Sequence, residues 1–173
     1  ETHSCQQKAA EVLGIGSDQL RKIPVDNEYQ IRIDLLEEKI KEDKANGFIP
    51  FCIVGNAGTV NTGAIDDLDA LAAIAKREGI WFHVDGAFGA VPNLLPEFKD
   101  KLKGLAKADS LTFDFHKWFY VNYSTPIIKS LKRRHWFPSP KFSIQKLPDG
   151  KLQCLMLWKY TIIVIPIVKP NCL

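Results

Sequence analysis

The sequence has few cysteines and no large excess of charge of either sign. Its four cysteines, at positions 5, 52, 154 and 172, are too widely spaced for a Cys-x-x-Cys pair or for the dense disulfide framework of a small secreted protein. No histidines stand at metal-ligand spacing, so we expect a reduced, cytoplasmic protein without a metal site. The net charge of +3 is small and the basic residues are scattered, which argues against nucleic-acid and membrane partners.

Signals for export and membrane insertion are also missing. The polar residues 1–7 lack the basic start and the apolar run of a secretory signal. The apolar run over residues 155–168 is interrupted by Lys159 and Pro166, and it is shorter than the roughly 20 residues that span a bilayer. The chain opens on Glu1 rather than on methionine, and we therefore expect a piece of a longer protein.

What is present is the composition of an ordinary globular domain, with 46% hydrophobic and 25% charged residues. Asp34 and Asp66 stand where helix N-caps are expected, and Gly14 and Gly79 stand where glycine ends a helix. Together with helical periodicity, these positions predict helices over residues 4–13, 34–45 and 66–78.

Nearly continuous apolar runs predict strands that are covered on both faces, over residues 48–54, 80–84 and 110–113. The stretch 96–108 before the last strand is partly helical in pattern. Because strands and helices alternate, the sequence predicts an α/β fold with a mostly parallel sheet. Near Tyr120 this pattern ends.

Polar residues follow each predicted strand. In open parallel sheets the ligand crevice lies beyond the carboxyl ends of the strands, so we expect these residues to meet at one edge. They are Asn56, Gly58 and Thr59 after the first strand, Asp85 after the second, and Asp114, His116 and Lys117 after the third.

Asp85 and Lys117 have the most suggestive surroundings of this group. Asp85 precedes small residues that would let a flat ligand approach, and its carboxylate could hold a cationic ring nitrogen, although a helix cap or a surface turn gives the same pattern. Most lysines are exposed, but aromatic neighbours would partly desolvate Lys117, lower its pKa and make it a nucleophile toward an aldehyde. Those neighbours, which by themselves are also typical of a core, are Phe113, Phe115, Trp118 and Phe119.

Three segments in this order and spacing resemble successive motifs of the group II pyridoxal-phosphate-dependent amino-acid decarboxylases, which include the aromatic-amino-acid and glutamate decarboxylases. The segments are 56–66 (NAGTVNTGAID), 81–89 (WFHVDGAFG) and 109–118 (DSLTFDFHKW). The resemblance covers residues 1–123. It implies part of the large domain of a fold type I, aspartate aminotransferase-like enzyme, with pyridoxal 5′-phosphate as cofactor.

The resemblance also implies roles for individual residues. Lys117 is expected to form the Schiff base with the cofactor, and Asp85 to pair with its pyridine nitrogen. Ala87 would lie against the ring, and His3 would stack on the opposite ring face. The resemblance further places Thr59 near the cofactor, and His116 where it helps to position the phosphate or the reacting groups.

Asp114 occupies a family position that holds Asn or Asp. A carboxylate beside a phosphate would be repulsive, so Asp114 is expected to line the site without a contact of its own.

The implied function is decarboxylation of an amino acid by a homodimeric, cytoplasmic carboxy-lyase, with aromatic, acidic and diamino acids open as substrates. The alternative is a catalytically inactive, truncated remnant that misfolds or persists as a binding module. Transamination or aldol cleavage on the same fold is a third reading, and the His-Lys-Trp context argues against it.

The resemblance ends abruptly after Tyr123. We expect residues 1–123 to form a partial cofactor-binding large domain and residues 124–173 to be a divergent tail, with a frameshift near Ser124 as the hypothesis. We also expect the chain to lack three parts of the family: the upstream phosphate-binding elements, the carboxy-terminal small domain and its mobile loop.

Overall fold

The computed structural model describes residues 2–119, 121–122 and 126–131, together with the backbone of three strands between 143 and 168. The helices are α1 (Cys5–Val12), α2 (Ile33–Ala45), α3 (Leu68–Glu78) and the short α4 (Phe115–Trp118). The strands are β1 (Ile49–Pro50), β2 (Cys52–Asn56), β3 (Trp81–Asp85), β4 (Ser110–Asp114), β5 (Pro126–Ser130), β6 (Ser143–Lys146), β7 (Leu152–Leu155) and β8 (Ile167–Val168).

Strands β2, β3, β4 and β5 form a sheet in that order. The first three are parallel and β5 is antiparallel to β4, so the prediction of an α/β fold with a mostly parallel sheet is confirmed. In register, Asn56 lies beside Asp85, and Asp85 lies beside Thr112. Separately, β1 pairs with β8 and β6 pairs with β7, both antiparallel.

Helix α3 covers one face of this sheet. Its Leu68 and Leu71 side chains lie over Gly55 of β2 beside Phe82 of β3, so closely that a Cβ on Gly55 would be 2.8 Å from Leu71 Cδ1. Leu68, Leu71 and Phe82 are at most 1% exposed. Full burial of a leucine side chain stabilises a fold by about 2 kcal/mol, so this face contributes several kcal/mol of stability.

The opposite face of the same strands carries polar side chains toward its carboxyl edge. Since successive side chains in a strand point to opposite faces, the residues between the apolar ones share this face. They are Asn56 on β2, His83 and Asp85 on β3, and Ser110, Thr112 and Asp114 on β4.

The predicted starts of two helices are wrong by one or two residues. Helix α2 begins after Arg32, and Asp34 forms an ion pair with Arg32 instead of capping the helix. Helix α3 is capped by Asp67, whose carboxylate accepts hydrogen bonds from Asp69 N and Ala70 N. Asp66 does not cap the helix. Its buried carboxylate accepts hydrogen bonds from Ile31 N and Asn56 N instead.

The predicted strands are also shifted. The apolar run over 48–54 divides at Phe51 into β1 and β2, and the three parallel strands extend through Asn56, Asp85 and Asp114. These residues therefore end their strands instead of following them. The stretch 96–108 contains short 3-10 helices, Pro96–Phe98 and Lys103–Lys107.

Beyond residue 123 the structure describes β5, Leu131 and the backbone of β6 to β8. The predicted division at residue 123 and the frameshift hypothesis stay predictions, since much of the tail lies outside the described residues. Within the part of the chain that the structure describes, no helix is long and apolar enough to cross a membrane.

Candidate functional site

The carboxyl ends of β2, β3 and β4 are tied together by backbone hydrogen bonds. Ala57 N donates to Asp85 O at 2.8 Å, and Gly86 N donates to Thr112 O at 2.9 Å. Because these bonds continue the sheet pairing past the last residues of β2 and β3, the polar side chains at this edge are held at fixed spacing. The predicted convergence of polar residues on one sheet edge is confirmed.

Lys117 lies over this edge on α4, the single helical turn that follows β4. Its Nζ atom is 2.8 Å from Asp114 Oδ2 and 4.2 Å from the centroid of the Phe88 ring. The Asp114 side chain is buried and the Lys117 side chain is 25% exposed. The amine is thus held between a carboxylate of β4 and an aromatic ring of the loop after β3.

Asp114 has a larger role than the sequence indicated. It forms an ion pair with Lys117, and its Oδ2 also lies 3.9 Å from His116 Nε2. Sequence reasoning had assigned no contact to Asp114, and the ion pair forms because the helical turn of α4 brings Lys117, three positions later, back over it. His116 is largely buried beside the same carboxylate.

The aromatic surroundings of Lys117 differ from those expected. Phe113, Phe115 and Phe119 pack edge-to-face on one another, with centroid separations of 5.3 and 5.2 Å. Trp118 and Phe119 are 53% and 42% exposed, and the enclosure of Lys117 by all four rings stays a prediction. The ring at the amine is Phe88, which is distant in sequence and was not predicted.

Asp85 and Ala87 form the turn that leads out of β3. Asp85 Oδ1 accepts a hydrogen bond from Ala87 N at 3.2 Å, and both residues are half-buried. This geometry agrees with the turn reading of Asp85 and also keeps its carboxylate at the sheet edge. The two interpretations of Asp85 are therefore compatible.

The loop after β2 packs directly against the loop after β3. Gly89 N donates to Ala57 O at 2.8 Å, and a Cβ on Gly89 would lie 2.3 Å from that oxygen. Any larger residue at position 89 would push the two loops apart. This close approach brings the Thr59 loop beside the loop of Asp85 and Phe88.

Thr59 is buried within its own loop. Its Oγ1 atom is 2.6 Å from Thr62 Oγ1 and accepts a hydrogen bond from Ala64 N at 3.1 Å. In the structure, therefore, the Thr59 hydroxyl fixes the shape of the loop over residues 59–64.

The start of the chain reaches the same edge. Asn56 Nδ2 donates to Thr2 Oγ1 at 3.3 Å, and His3 Nδ1 accepts a hydrogen bond from Cys5 N at 3.1 Å. Burial and the Asp85 carboxylate raise the pKa of the Cys5 thiol, whereas Lys117 lowers it. Cys5 thus lies within electrostatic range of both Asp85 and Lys117, although sequence reasoning had given it no role.

A buried polar cluster lies below Asp85 on the same face. His83 Nδ1 is 2.8 Å from Ser110 Oγ, His83 Nε2 is 3.2 Å from Thr112 Oγ1, and Trp81 Nε1 donates to Ser110 Oγ at 2.9 Å. Burial lowers the pKa of His83 to about 4, so the imidazole is neutral at pH 7. Sequence reasoning missed a usable signal here. His83 and Asp85, and likewise Ser110 and Thr112, are polar residues two positions apart along a strand, so each pair lies on the same face of the sheet.

Among the described residues, no group of three or more His, Cys, Asp or Glu side chains is placed to hold a metal ion. The site instead combines an amine, carboxylates, imidazoles and hydroxyls. A model of the pyridoxal-dependent decarboxylase conserved domain matches residues 1–147. The chain belongs to this pyridoxal-dependent decarboxylase family.

Several members of the family are similar to this chain. It is 41% identical over 123 residues to the aromatic-L-amino-acid decarboxylase of Bacillus atrophaeus, covering 71% of this chain and 26% of that protein. It is 45% identical over 119 residues to the aspartate 1-decarboxylase of Aliivibrio fischeri, covering 69% of this chain and 22% of that protein.

The fold agrees with solved structures of the family. Oryza sativa TDC, solved with PLP, matches with a TM-score of 0.71 and 29% identity over 75% of this chain and 28% of that one. The predictions of family, of a partial fold type I domain and of a pyridoxal cofactor are confirmed at the level of the family. The chain spans about a quarter of the length of these relatives.

Proposed function

We propose that this chain is the cofactor-binding part of a pyridoxal-phosphate-dependent amino-acid decarboxylase, with Lys117 as the residue that links to the cofactor. The observation that carries the proposal is the position of the Lys117 amine. It is held by Asp114 at the end of β4 and lies over Phe88, in the loop that begins at Asp85. An amine and a second carboxylate are thus brought together at one sheet edge.

The chemistry of these side chains fits a pyridoxal group. A primary amine is the group that condenses with an aldehyde, and a carboxylate is the partner that keeps a pyridine nitrogen protonated. Lys117 and Asp85 supply these groups, and Ala87 follows Asp85 without bulk that would block a flat ring. When bound, such a cofactor supplies an electron sink for the electrons released as carbon dioxide leaves.

Asp114 and Asp85 have different roles in this proposal. Asp114 orients the Lys117 amine through the 2.8 Å ion pair. Asp85 would hold the ring nitrogen from the end of β3, and its turn bond to Ala87 N fixes the direction of its carboxylate. The neutral His83 below Asp85 adds no positive charge, so the Asp85 carboxylate stays available to a cationic ring.

The remaining predicted residues would act around this pair. His3 would cover the ring face opposite Ala87, since its neighbour Thr2 is bonded to Asn56 at the same edge. His116 would help to hold the phosphate or the reacting groups from its position beside Asp114. Thr59 would act through the shape of its loop, because its hydroxyl bonds to Thr62 and Ala64.

The substrate is proposed to be an amino acid, and the relatives leave its class open. One similar protein is named for aromatic L-amino acids and another for aspartate. We further infer a homodimer for the whole protein, because the family resemblance implies it, and a cytoplasmic location, because the widely spaced cysteines suit a reducing compartment.

The test is carbon dioxide release from carboxyl-labelled amino acids. The 173-residue chain is incubated with pyridoxal phosphate and a panel of aromatic, acidic and diamino acids. We expect release with one class, lost in Lys117→Arg, which keeps the charge facing Asp114 but cannot link to the aldehyde. The exposed Lys129 gives the control variant Lys129→Arg. Cofactor uptake without release from any amino acid would favour the inactive remnant, and release by Lys117→Arg would contradict the role of Lys117.

A further inference from the structure

Asp66 is a buried carboxylate for which the proposed chemistry has no use. It is 4% exposed, and it lies in the segment between β2 and α3. A buried charge is retained only where hydrogen bonds compensate for the loss of water, so the groups that surround Asp66 indicate what it holds together.

The Asp66 carboxylate joins segments that are far apart in sequence. Oδ1 accepts a hydrogen bond from Ile31 N at 2.8 Å, and Oδ2 accepts from Asn56 N at 2.7 Å and from Asn56 Nδ2 at 3.1 Å. Asp66 N in turn donates to Asn56 O at 3.0 Å. Asn56, the last residue of β2, is therefore bound to Asp66 through its backbone and its side chain.

Asn56 links Asp66 to two parts of the candidate site, the start of the chain and the carboxyl end of β3. Its Nδ2 group also donates to Thr2 Oγ1 at 3.3 Å, and the next residue, Ala57, donates to Asp85 O at 2.8 Å. The N-terminal segment, defined as residues 2–5, continues through His3 to Cys5. The Asp85 carboxylate raises the pKa of the Cys5 thiol and Lys117 lowers it, so Cys5 is within electrostatic range of the candidate site.

We propose that Asp66 and Asn56 are positioning residues that hold the N-terminal segment over the carboxyl ends of β2 and β3, and thereby hold His3 at the cofactor site. The part of this inference that concerns His3 rests on the proposed function. Neither residue touches the reacting atoms; both act through the placement of the segment.

The variants separate this role from general stability. Asp66→Asn replaces one accepting oxygen by an NH₂ group, so at least one of the buried N–H donors at this carboxylate loses its acceptor. Asn56→Ala removes the side-chain link to Thr2 while keeping the backbone bond to Asp66. Asp67→Asn is the matched control, because it makes the same change one residue later and asparagine is as good an N-cap as aspartate.

The primary readout is alkylation of Cys5 by iodoacetamide in the cofactor-free, 173-residue chain, followed by peptide mass spectrometry. Release of the segment exposes Cys5 and removes the burial that raises its pKa, and both changes speed the reaction. Cys52 is 0% exposed and serves as the internal reference for global unfolding. Peptide mapping keeps Cys154 and Cys172 apart from both.

We expect Cys5 to react about fivefold faster or more in Asp66→Asn and Asn56→Ala, with Cys52 still protected and with Asp67→Asn unchanged. Equal acceleration at Cys5 and Cys52 would mean that the two residues only stabilise the fold, and would overturn the proposal. Unchanged Cys5 labelling in both variants would overturn it as well.

A second readout concerns His3 directly. Circular dichroism of the bound pyridoxal phosphate in the visible range reports the asymmetry of its surroundings, and we expect a weaker signal per bound cofactor in Asp66→Asn and Asn56→Ala. An unchanged signal would contradict the part of the proposal that concerns His3. If the unmodified chain takes up no cofactor at Lys117, the proposed function fails, whereas the thiol labelling still decides how the segment is held.

Discussion

The two faces of the β2–β5 sheet are built by alternate residues of the same strands, yet they carry opposite chemistry. On one face, Phe82 and Val84 are buried against the α3 layer. On the other, His83 and Asp85 lead to a cluster of carboxylates, hydroxyls and an amine at the sheet edge. The side-chain period of two in a strand separates these functions by a single residue.

Because the two faces differ in this way, we expect substitutions at neighbouring strand positions to affect different properties of the protein. The apolar face contributes free energy of folding through buried area, and its residues need only fill the space under α3. The polar face presents groups in fixed directions, so its residues should affect cofactor binding more than folding. The four predictions that follow test this division, from the largest expected effect to the smallest.

The largest effect is expected from Leu71→Ala on the apolar face. Leu71 is 0% exposed, and removing its side chain leaves a cavity that should lower the free energy of unfolding by about 3 kcal/mol. Urea denaturation measures this change. The control Val12→Ala, at an 87% exposed position, should stay within about 0.5 kcal/mol of the unmodified chain. A stable Leu71→Ala chain would contradict the assignment of stability to this face.

The second prediction concerns pH and His83. The folded-state pKa of His83 is about 4, below its ordinary value of 6.5, so the unfolded chain binds the proton first as the pH falls. The contribution of His83 to stability is therefore complete above pH 6.5 and is lost between pH 6.5 and 4. Its size is on the order of 3 kcal/mol.

Thermal melts of the unmodified chain and of His83→Asn across this range isolate the effect of His83. We expect the unmodified chain to lose more stability than His83→Asn as the pH falls. If the two chains lose stability equally as the pH falls, the pKa of His83 is not lowered in the folded state, and the assignment of a neutral His83 is wrong.

The third prediction concerns Asp85→Asn on the polar face. This variant loses a charge-assisted contact to the pyridine nitrogen, so the dissociation constant of pyridoxal phosphate should rise about tenfold or more, with little change in melting temperature. A fluorescence titration measures the affinity. Asp100→Asn, at an exposed carboxylate, is the control. Equal affinity of Asp85→Asn and the unmodified chain for pyridoxal phosphate would contradict a role of Asp85 in cofactor binding.

The smallest effect is expected at Thr59. Thr59→Val removes the hydroxyl that fixes the loop over residues 59–64, and it should weaken cofactor binding by about threefold, as expected for one neutral hydrogen bond. Thr59→Ser keeps the hydroxyl and should restore the affinity. If both variants bind normally, the loop shape does not matter for the cofactor.

Much of this arrangement could be predicted from the sequence because its signals are local. The buried parallel strands read as apolar runs, and the polar residues at their carboxyl ends, such as Asp85 and Lys117, follow from the rule for open sheets. Asp66 and Asp67 were a harder case. Both are aspartates at the start of a helix, and only the positions of distant N–H groups decide which of them caps α3.

The parts that could not be predicted depend on contacts between distant segments. Phe88 reaches Lys117 because two loops close on Gly89, and Thr2 at the start of the chain is bound by Asn56 at the end of β2. Neither contact has a periodic pattern in the sequence. The ion pair of Asp114 with Lys117 had a usable local signal, since the two residues are three positions apart at the start of a helical turn.

The most direct test of the site is to trap the cofactor on the protein. The 173-residue chain is incubated with pyridoxal phosphate, reduced with borohydride, and analysed by peptide mass spectrometry, with Lys117→Ala and Lys129→Ala as test and control variants. The site described above predicts one label per chain, confined to Lys117, absent in Lys117→Ala and retained in Lys129→Ala. Labels spread over exposed lysines, or an unchanged label in Lys117→Ala, would contradict it.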